Sequence, residues 1–216
     1  MTSLVDAFPP FGVTVACGSI ALRPITDDVL PDLLEIARAG IHAPDRMPFS
    51  VPWTETPAED FARQFVTHHW RMRSSFTAKD WSLYFAVYHD DELVGTQSVS
   101  TSSYLVTRTG ETGSWLGMPF QGRGIGTLMR QTIIALMFDH LDADQVTSGA
   151  FLDNPASLAV SRKLGYRPNG QVRHERRAGE LAINQHLVLT PENFVRPSEA
   201  LQVQGIPAFR SFVGLD

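Results

Sequence analysis

The sequence predicts one α/β domain in which helices flank a single mixed, mostly antiparallel central sheet. Segments 81–88 and 93–100 alternate apolar and polar residues, and the polar residues between them, 89–92, are typical of a β-hairpin turn. Downstream, a glycine-rich turn over 122–126 joins a strand to a helix, which indicates a β-α-β crossover. A last pair of alternating segments predicts two further antiparallel strands near the C-terminal end.

The N-terminal part of the domain begins with a strand over 19–23, which Pro24 ends. A helix follows, because apolar residues recur at intervals of three and four over Leu30–Ala37. We expect residues 26–28 to cap the start of this helix and Gly40 to end it.

The remaining elements are predicted from the same periodicities and from capping residues. They are, in chain order, a helix over 58–73, the hairpin strands, a strand over 111–117, a helix carrying Met129–His140, a strand over 145–151, a helix from Asn154 to Gly165, and strands over 170–177 and 181–189. Asn154 is a favoured N-cap residue, Pro155 suits the first helical position, and Gly165 is a typical helix end.

Two segments outside these elements are rich in apolar residues. Residues 42–57 form a proline-rich loop that packs over a substrate cleft, on the core or on a second subunit. Residues 191–216 follow the predicted domain, 1–190, as a C-terminal extension that we expect to pack on the domain or on a partner subunit. Since both segments expose apolar side chains, we also expect a homodimer or a higher homo-oligomer.

Composition excludes several classes of protein. The 216 residues carry a net charge of −5, which argues against a nucleic-acid-binding surface, because such surfaces are basic. Cys17 is the only cysteine, so no internal disulfide forms. The sequence has neither a recognisable leader peptide nor an apolar stretch long enough for a membrane helix, so we expect a cytoplasmic protein that does not bind membranes.

The glycine turn has the character of an anion-binding loop. Glycines allow the backbone to turn tightly and to approach a ligand closely, and the N-terminus of the following helix attracts phosphate. The spacing matches neither the dinucleotide-binding fingerprint nor the Walker loop. On the glycines alone, an ordinary tight connection between a strand and a helix remains an equal alternative.

Two sequence blocks resemble the GNAT superfamily of N-acetyltransferases. The first is Gln121, Gly124 and Gly126 after the strand segment 113–117. The second is Asn154–Ser157 followed by Lys163–Tyr166, in the expected order. The resemblance extends over about residues 22–190 and implies the GNAT fold, in which two neighbouring strands splay apart at the coenzyme A (CoA) site.

Finer features narrow the resemblance to one branch. The segment before the loop and the Asn-x-x-Ser pattern after it resemble the ribosomal-protein N-terminal acetyltransferases. Segments 45–53 and 80–82 are similar to an actinobacterial member that uses succinyl-CoA.

The resemblance implies which residues contact CoA. They are Trp115, Leu116, Gly117, Gln121, Gly122, Arg123, Gly124, Ile125, Gly126, Thr127, Asn154, Ser157 and Arg162. Arg130 and Lys163 are further candidates for the outer phosphates, although surface cations of this kind are commonly only solvated.

The resemblance also suggests the groups that handle protons. Glu111, or else Glu175 beside His174, is the candidate general base that deprotonates the amine, while a surface role is an equal alternative for either glutamate. Many superfamily members carry a tyrosine where this chain has Ser161, so we expect Ser157 to contact the CoA thiol. The alternative is that the Ser157 hydroxyl bonds to its own helix backbone.

The expected activity is N-acylation by direct attack in a ternary complex. The donor is acetyl-CoA or succinyl-CoA, and the acceptor is an amine of a small molecule, a peptide N-terminus or a lysine. Gln97 and Thr101 are candidates for lining a succinyl site. The alternative is a non-catalytic sensor that binds acyl-CoA. No metal is expected, because His68 and His69 are adjacent on a helix and the chain lacks a cysteine set.

Overall fold

In the computed structural model, which describes residues 2–216, a nine-stranded sheet runs through the centre of the chain. The strands are β1 (Thr14–Cys17), β2 (Ile20–Pro24), β3 (Ser82–His89), β4 (Glu92–Thr101), β5 (Thr109–Leu116), β6 (Gln145–Phe151), β7 (Arg167–Arg177), β8 (Glu180–Leu189) and β9 (Gln202–Gln204). Their order is β7-β8-β6-β5-β4-β3-β2-β1-β9. Only β5 and β6 pair in parallel, so the predicted mixed, mostly antiparallel sheet is confirmed.

Helices cover both faces of the sheet. They are α1 (Leu4–Ala7), α2 (Leu30–Ala39), α3 (Ala58–Ser74), α4 (Tyr104–Thr107), α5 (Ile125–His140), α6 (Pro155–Leu164) and α7 (Ile206–Val213). The apolar cores separate accordingly: one contains residues of α5, α6 and α7, and the other contains residues of α2 and α3. The predicted flanking of the sheet by helices is therefore confirmed.

The predicted hairpin is confirmed, with a tighter turn than the sequence suggested. The strands β3 and β4 continue as far as His89 and Glu92, which pair with each other. Only Asp90 and Asp91 remain in the turn, with φ of 50° and 63°. Aspartate tolerates this left-handed conformation better than most residues, and two-residue turns of this kind match the twist of the adjoining strands.

The expected cap of α2 is wrong. The N-cap residue is Val29, and no side chain bonds to the first turn of the helix. Asp27 instead accepts hydrogen bonds from Trp70, at 3.1 Å, and from Arg73, both on α3. The Asp27 carboxylate therefore makes charge-assisted hydrogen bonds to a distant helix instead of capping α2, as its local sequence had suggested. Gly40 does end the helix, with φ of 109°.

The C-terminal extension completes the far edge of the sheet. Strand β9 pairs antiparallel with β1, an edge strand that the sequence did not predict. Behind it, the side chains of Phe209 and Val213 on α7 are fully buried. Residues beyond 190 thus pack on the rest of the chain, while the division of the chain at that residue stays a prediction.

Candidate active site

A V-shaped gap between β5 and β6 is the main irregularity of the sheet. The two strands pair only where Thr109–Glu111 meets Gln145–Thr147. Beyond that point β5 continues to Leu116 on the side of β4, and β6 continues to Phe151 on the side of β8. The gap is closed at the start of the strands and open at their ends, as the predicted splay requires.

The glycine turn lies at the mouth of this gap. Gly122 and Gly124 have φ of 72° and 87°, a region that side chains other than glycine rarely adopt. A Cβ atom added at either position would meet no atom within 4 Å. Helix α5 begins directly after Gly124 without a side-chain cap.

The amides of this turn are available to a ligand. Among the hydrogen bonds within residues 2–216, none has an N–H of residues 122–126 as its donor, whereas Thr127 already donates to the Gly124 carbonyl at 2.9 Å. Free N–H groups and the positive end of the α5 dipole thus converge on the mouth of the gap. This arrangement suits a phosphate or pyrophosphate group.

The polar residues around the turn divide into two groups. Gln121 positions the loop, since its Nε2 donates to the carbonyls of Leu116 and Ile41, both at 2.8 Å. Arg123, Arg162 and Lys163 are exposed, and none of them pairs with a carboxylate among the described residues. Such free cations are suited to the outer phosphates of a nucleotide.

Alternate residues of β5 face opposite sides of the sheet. Leu116 points towards α5 and α6, where its Cδ1 would lie 3.8 Å from a Cβ placed on Gly126. Trp115 points the other way and packs on Trp53 of the 42–57 loop, with ring centroids 6.2 Å apart. Its side chain is therefore part of the apolar core that includes α2 and α3, and only its backbone faces the gap.

The start of α6 lies beside the mouth, and its capping is as predicted. Asn154 is the N-cap and accepts the Ser157 N–H at 3.2 Å, while Gly165 ends the helix with φ of 94°. The hydroxyl of Ser157 makes no hydrogen bond within residues 2–216, so the alternative in which it bonds to its own helix is not observed. The Ser157 carbonyl accepts the Ser161 hydroxyl at 3.0 Å.

Arg130 does not lie at the surface, where the outer phosphates would be. Its side chain is buried at 6% exposure, and it reaches from α5 to β5, which is one wall of the gap, and to α6. Nη1 donates to Ser161 Oγ at 3.1 Å and Nη2 to Ser114 Oγ at 3.2 Å. Desolvation lowers the pKa of Arg130, and nearby Tyr166 partly offsets this shift. Its position next to Met129 in a helix with no other arginine or lysine was the available sequence signal.

The two candidate bases lie far apart. Glu111 of β5 pairs with Thr147 of β6, and Thr147 pairs with Val188 of β8, so Glu111 and Val188 lie at the same height in the sheet. Glu175 is level with Leu181 of the same strand, which places the two glutamates about 23 Å apart along the strand direction. Glu111 lies at the closed end of the gap and Glu175 beyond its mouth, so they cannot serve one reacting amine together.

Glu175 also has a structural contact of its own. Its carboxylate accepts the Gly179 N–H at 2.7 Å within the β7–β8 turn. Neighbouring His174 packs edge-on against Phe151, with centroids 6.1 Å apart.

The residues suggested for a succinyl site are engaged in the sheet. Gln97 is fully buried and its Nε2 donates to the carbonyls of Ser98 and Gly113, both at 3.0 Å. Thr101 bonds through its hydroxyl to the Trp81 carbonyl at 3.0 Å. Neither side chain is placed to bind an acyl carboxylate.

The 42–57 loop crosses the mouth of the gap. Just before the loop, the carbonyl of Gly40 accepts the Met118 N–H at 3.0 Å. Further on, Met47 offers its carbonyl to Arg176 Nη1 at 3.0 Å, and Glu55 accepts Arg177 Nε at 2.8 Å. The loop is thus attached to the glycine-turn side at one end and to the β7–β8 hairpin at the other.

Salt bridges hold the 42–57 loop in this position across the mouth of the gap. Arg176 is buried and bonds to Asp153, at 2.9 Å, and to Glu180. Hydrogen bonding to Arg177 holds the pKa of Glu55 below its usual value, and bonding to Arg176 and Arg177 does the same for Glu180. Glu55 and Glu180 consequently stay ionised near neutral pH.

Two searches of residues 2–216 gave negative results. No cluster of three or more His, Cys, Asp or Glu side chains could hold a metal ion. None of the helices combines the length and apolar character that crossing a membrane requires.

Comparison with known proteins identifies the family. Residues 19–167 match the family described as the acetyltransferase (GNAT) domain. YdaF of Bacillus subtilis (strain 168), a provisionally assigned ribosomal N-acetyltransferase, is 32% identical over 68 residues, which cover 32% of this chain. That alignment spans only 37% of YdaF.

Solved structures support the same fold. Mycobacterium smegmatis RimJ, in complex with CoA-disulfide, superposes with a TM-score of 0.67 and 16% identity, covering 87% of this chain and 91% of RimJ. A RimL ribosomal L7/L12 α-N-protein acetyltransferase in complex with CoA gives a TM-score of 0.64 at 17% identity, with 80% and 94% covered. At such low sequence identities, these superpositions are evidence for the fold alone. The match to the family covers most of the sequence. The chain therefore belongs to the GNAT acetyltransferase family.

Proposed function

We propose that this protein transfers an acetyl or succinyl group from CoA to a primary amine by direct attack in a ternary complex. The observation that carries the proposal is the V-shaped gap with unbonded amides at its mouth. Such a site fits a molecule with a diphosphate at one end and an extended, amide-bearing arm at the other. Acyl-CoA has this form.

The diphosphate is expected to bind the unbonded amides of residues 122–126, next to Thr127, with Arg123 and Arg162 near the outer phosphates. From there the pantetheine arm would enter the gap and pair with the backbone of Trp115–Gly117 as an extra strand. An N–H group of this strand could also stabilise the oxyanion that forms at the thioester carbonyl. The free hydroxyl of Ser157 is our candidate contact for the CoA thiol.

The amine must lose a proton for transfer to be completed. Glu111 is our first candidate for this base, acting directly or through water, and Glu175 is the second. Because the two glutamates are far apart, separate substitutions distinguish them. We expect Glu111→Gln to lower kcat and to move the pH profile, and Glu175→Gln to leave both near the values of the native protein.

The acceptor is proposed from the nature of the relatives. YdaF and RimL are named for ribosomal targets, and RimL for α-amino groups. A peptide N-terminus is therefore the first acceptor to test, followed by small primary amines and lysine side chains. A non-catalytic acyl-CoA sensor is not favoured, because the family match is to an acetyltransferase domain.

The test combines binding with turnover. The protein is titrated with acetyl-CoA and with succinyl-CoA, and thiol release is then followed with free-N-terminal peptides, with N-blocked lysine peptides and with small amines. We expect micromolar binding of at least one donor and amine-dependent thiol release with N-acylated product by mass spectrometry. Failure of both donors to bind at millimolar concentration would rule out the proposal, and tight binding without release to any amine would favour the sensor.

A further inference from the structure

Arg130 is a buried cation without a counter-ion. No carboxylate among residues 2–216 pairs with it, and its Nε is buried without a hydrogen-bond partner. The other buried arginine, Arg176, has two carboxylates. An isolated buried charge costs several kcal/mol even after structural relaxation, so its retention calls for a compensating anion.

Arg130 lies next to the gap and not at the protein surface. Its hydrogen bonds to Ser114 on β5, one wall of the gap, and to Ser161 on α6 place the guanidinium on the α5 side of the gap. Along α5 it lies six residues after Gly124, about 9 Å from the amide cradle. Ser114 in turn is only three residues from Glu111, where the gap closes.

A pantetheine arm that enters at the cradle runs back along β5 and ends at this depth. Its phosphates stay at the mouth and are too distant to neutralise Arg130. We expect the acyl group to meet the acceptor amine on the side of Trp115 and the 42–57 loop, across the sheet from α5. Two groups at this depth gain negative charge during transfer, the carbonyl oxygen and the sulfur. An N–H group of β5 is the proposed partner of the oxygen, which leaves the sulfur for Arg130.

We propose that Arg130 supplies the positive charge that stabilises the CoA thiolate as it leaves. This inference rests on the proposed acyl transfer. The amine nitrogen attacks the thioester carbonyl carbon, the C–S bond breaks, and its electron pair passes to sulfur. The nitrogen loses its proton to the base, while Arg130 keeps its own protons and the thiolate is protonated after release.

Arg130 acts by its charge and not by contact with sulfur, so its role is that of a positioning and charge-stabilising residue. Tyr166 is the titratable group that acts on the guanidinium, and its own pKa is raised by burial, so it stays neutral and does not cancel the charge. The other charged groups on β5 and α6, namely Glu111, Arg162 and Lys163, are exposed.

The experiment compares CoA with acetyl-CoA in Arg130→Met, Arg130→Lys and the native protein. Binding is measured by calorimetry in buffers of different ionisation enthalpy, and the bound thiol is titrated through the ultraviolet absorbance of the thiolate. We expect native protein to release a proton on binding CoA but not acetyl-CoA. In Arg130→Met the pKa of the bound thiol should rise by about one unit or more, the shift that a neighbouring opposite charge produces.

Arg130→Met should also bind CoA about tenfold more weakly at pH 8, where the native protein holds the thiolate, and bind acetyl-CoA within about threefold of the native value. Arg130→Lys should restore most of the proton release. Arg210→Met is the matched control, because Arg210 anchors α7 to Asp142 and to backbone carbonyls far from the gap. Arg210→Met should destabilise the fold without changing the differences in affinity and in proton release between CoA and acetyl-CoA.

A purely structural arginine predicts other results. If Arg130→Met weakens CoA and acetyl-CoA equally, or leaves proton release intact, the inference is wrong although the acyl-transfer proposal survives. If only succinyl-CoA loses affinity, Arg130 binds an acyl carboxylate and the inference is again wrong. If the native protein binds neither CoA nor its esters, the proposed function itself has failed.

Discussion

Gly124 illustrates how a single residue shapes the candidate site. The space beside its Cα is open, so the requirement for glycine is conformational rather than steric. Its φ of 87° lies in the left-handed region that glycine adopts readily, and its N–H is one of the unbonded amides of the turn. A side chain here would strain the backbone and would also project into the cradle that we assign to the diphosphate.

Gly124→Ala should therefore weaken acyl-CoA binding by about tenfold or more, with a loss of about 1 kcal/mol in the free energy of unfolding. Gly170→Ala is the matched control, because Gly170 has φ of 89° and equally open surroundings on β7. It should lose similar stability and keep its affinity for acyl-CoA. Calorimetric titration and urea unfolding of both variants provide the measurements. Equal affinity in the two variants would contradict a diphosphate site at the turn.

Sequence predicted individual residues well where their role is local. Asn154 and Gly165 delimit α6 as expected, because a cap depends on the nearest few residues. Arg130 was assigned to the outer phosphates at the surface, because its burial arises only when α5, β5 and α6 pack together. Asp27 was assigned to the wrong contact for the same reason, since its partners on α3 are more than forty residues away.

At the scale of elements, the 42–57 loop owes its course to its attachments. It contains only one short 3-10 turn, Trp53–Glu55, so regular structure does not hold it in place. Its Trp53 packs on Phe61 and Phe65 of α3, and Arg176 and Arg177 bind it from the β7–β8 hairpin. The loop is consequently a cover for the gap whose stability depends on a hairpin distant in sequence.

Arg176→Met should loosen this cover. It removes the bonds to the Met47 carbonyl, Asp153 and Glu180, and we expect a loss of about 1–3 kcal/mol in the free energy of unfolding. Amide exchange in residues 42–57 should accelerate about tenfold, and KM for the amine should rise more than KM for acyl-CoA. Arg23→Met, which breaks an exposed pair with Asp91, is the control and should change none of these values. Unchanged exchange in the loop would show that its apolar contacts suffice to hold it.

Long elements were predicted from sequence and short ones were not. Strand β6 has the predicted bounds, and α3 and β8 differ from prediction by a single residue at one end. Apart from α7, whose eight residues lie in the C-terminal extension, the missed elements are α1, β1, α4 and β9, which have three or four residues each. So few residues give no reliable periodicity, and these segments become regular only through pairing and packing in the folded chain.

At the scale of the whole molecule, the two ends of the chain meet at one edge of the sheet. Phe8, from the N-terminal segment, packs edge-on against Phe76 and Phe212, at centroid distances of 5.3 and 6.0 Å. Phe209 on α7 packs on Trp81, at 5.2 Å, within the same core as α5. The C-terminal extension therefore contributes to the main core and is not a loosely attached tail.

Two phenylalanines of α7 test this contribution. Phe209 is fully buried, so Phe209→Ala should lower the free energy of unfolding by about 3–5 kcal/mol. Phe212 is 40% exposed, and Phe212→Ala should cost about 1 kcal/mol. Urea unfolding followed by tryptophan fluorescence measures both, since Trp81 lies in the affected core. Similar small losses in the two variants would mean that α7 is dispensable for the fold.

The pH dependence of stability is a property of the whole chain that is dominated by one histidine near neutrality. His69 is buried between Phe65 and Tyr84, and burial, together with the charges of His68 and Arg73, lowers its pKa to about 3. In the unfolded chain its pKa is near 6.5, so below that pH the unfolded state binds a proton that the folded state does not.

The stabilising effect of a neutral His69 is thus complete above about pH 6.5 and is lost as the pH falls towards 3, by up to about 1.4 kcal/mol per pH unit. Urea unfolding of the native protein should show this slope between pH 6.5 and 5, a window in which carboxylates contribute little because they ionise at lower pH. His69→Gln removes the titrating group. The free energy of unfolding of this variant should therefore fall less steeply with decreasing pH than that of the native protein, by up to about 1.4 kcal/mol per pH unit, whatever the variant's stability at pH 8. His68 is shifted in the same direction by burial and leaves part of the slope in the variant. Parallel pH profiles for the two proteins would mean that His69 is protonated in the folded state and that water reaches the interface between α3 and the sheet.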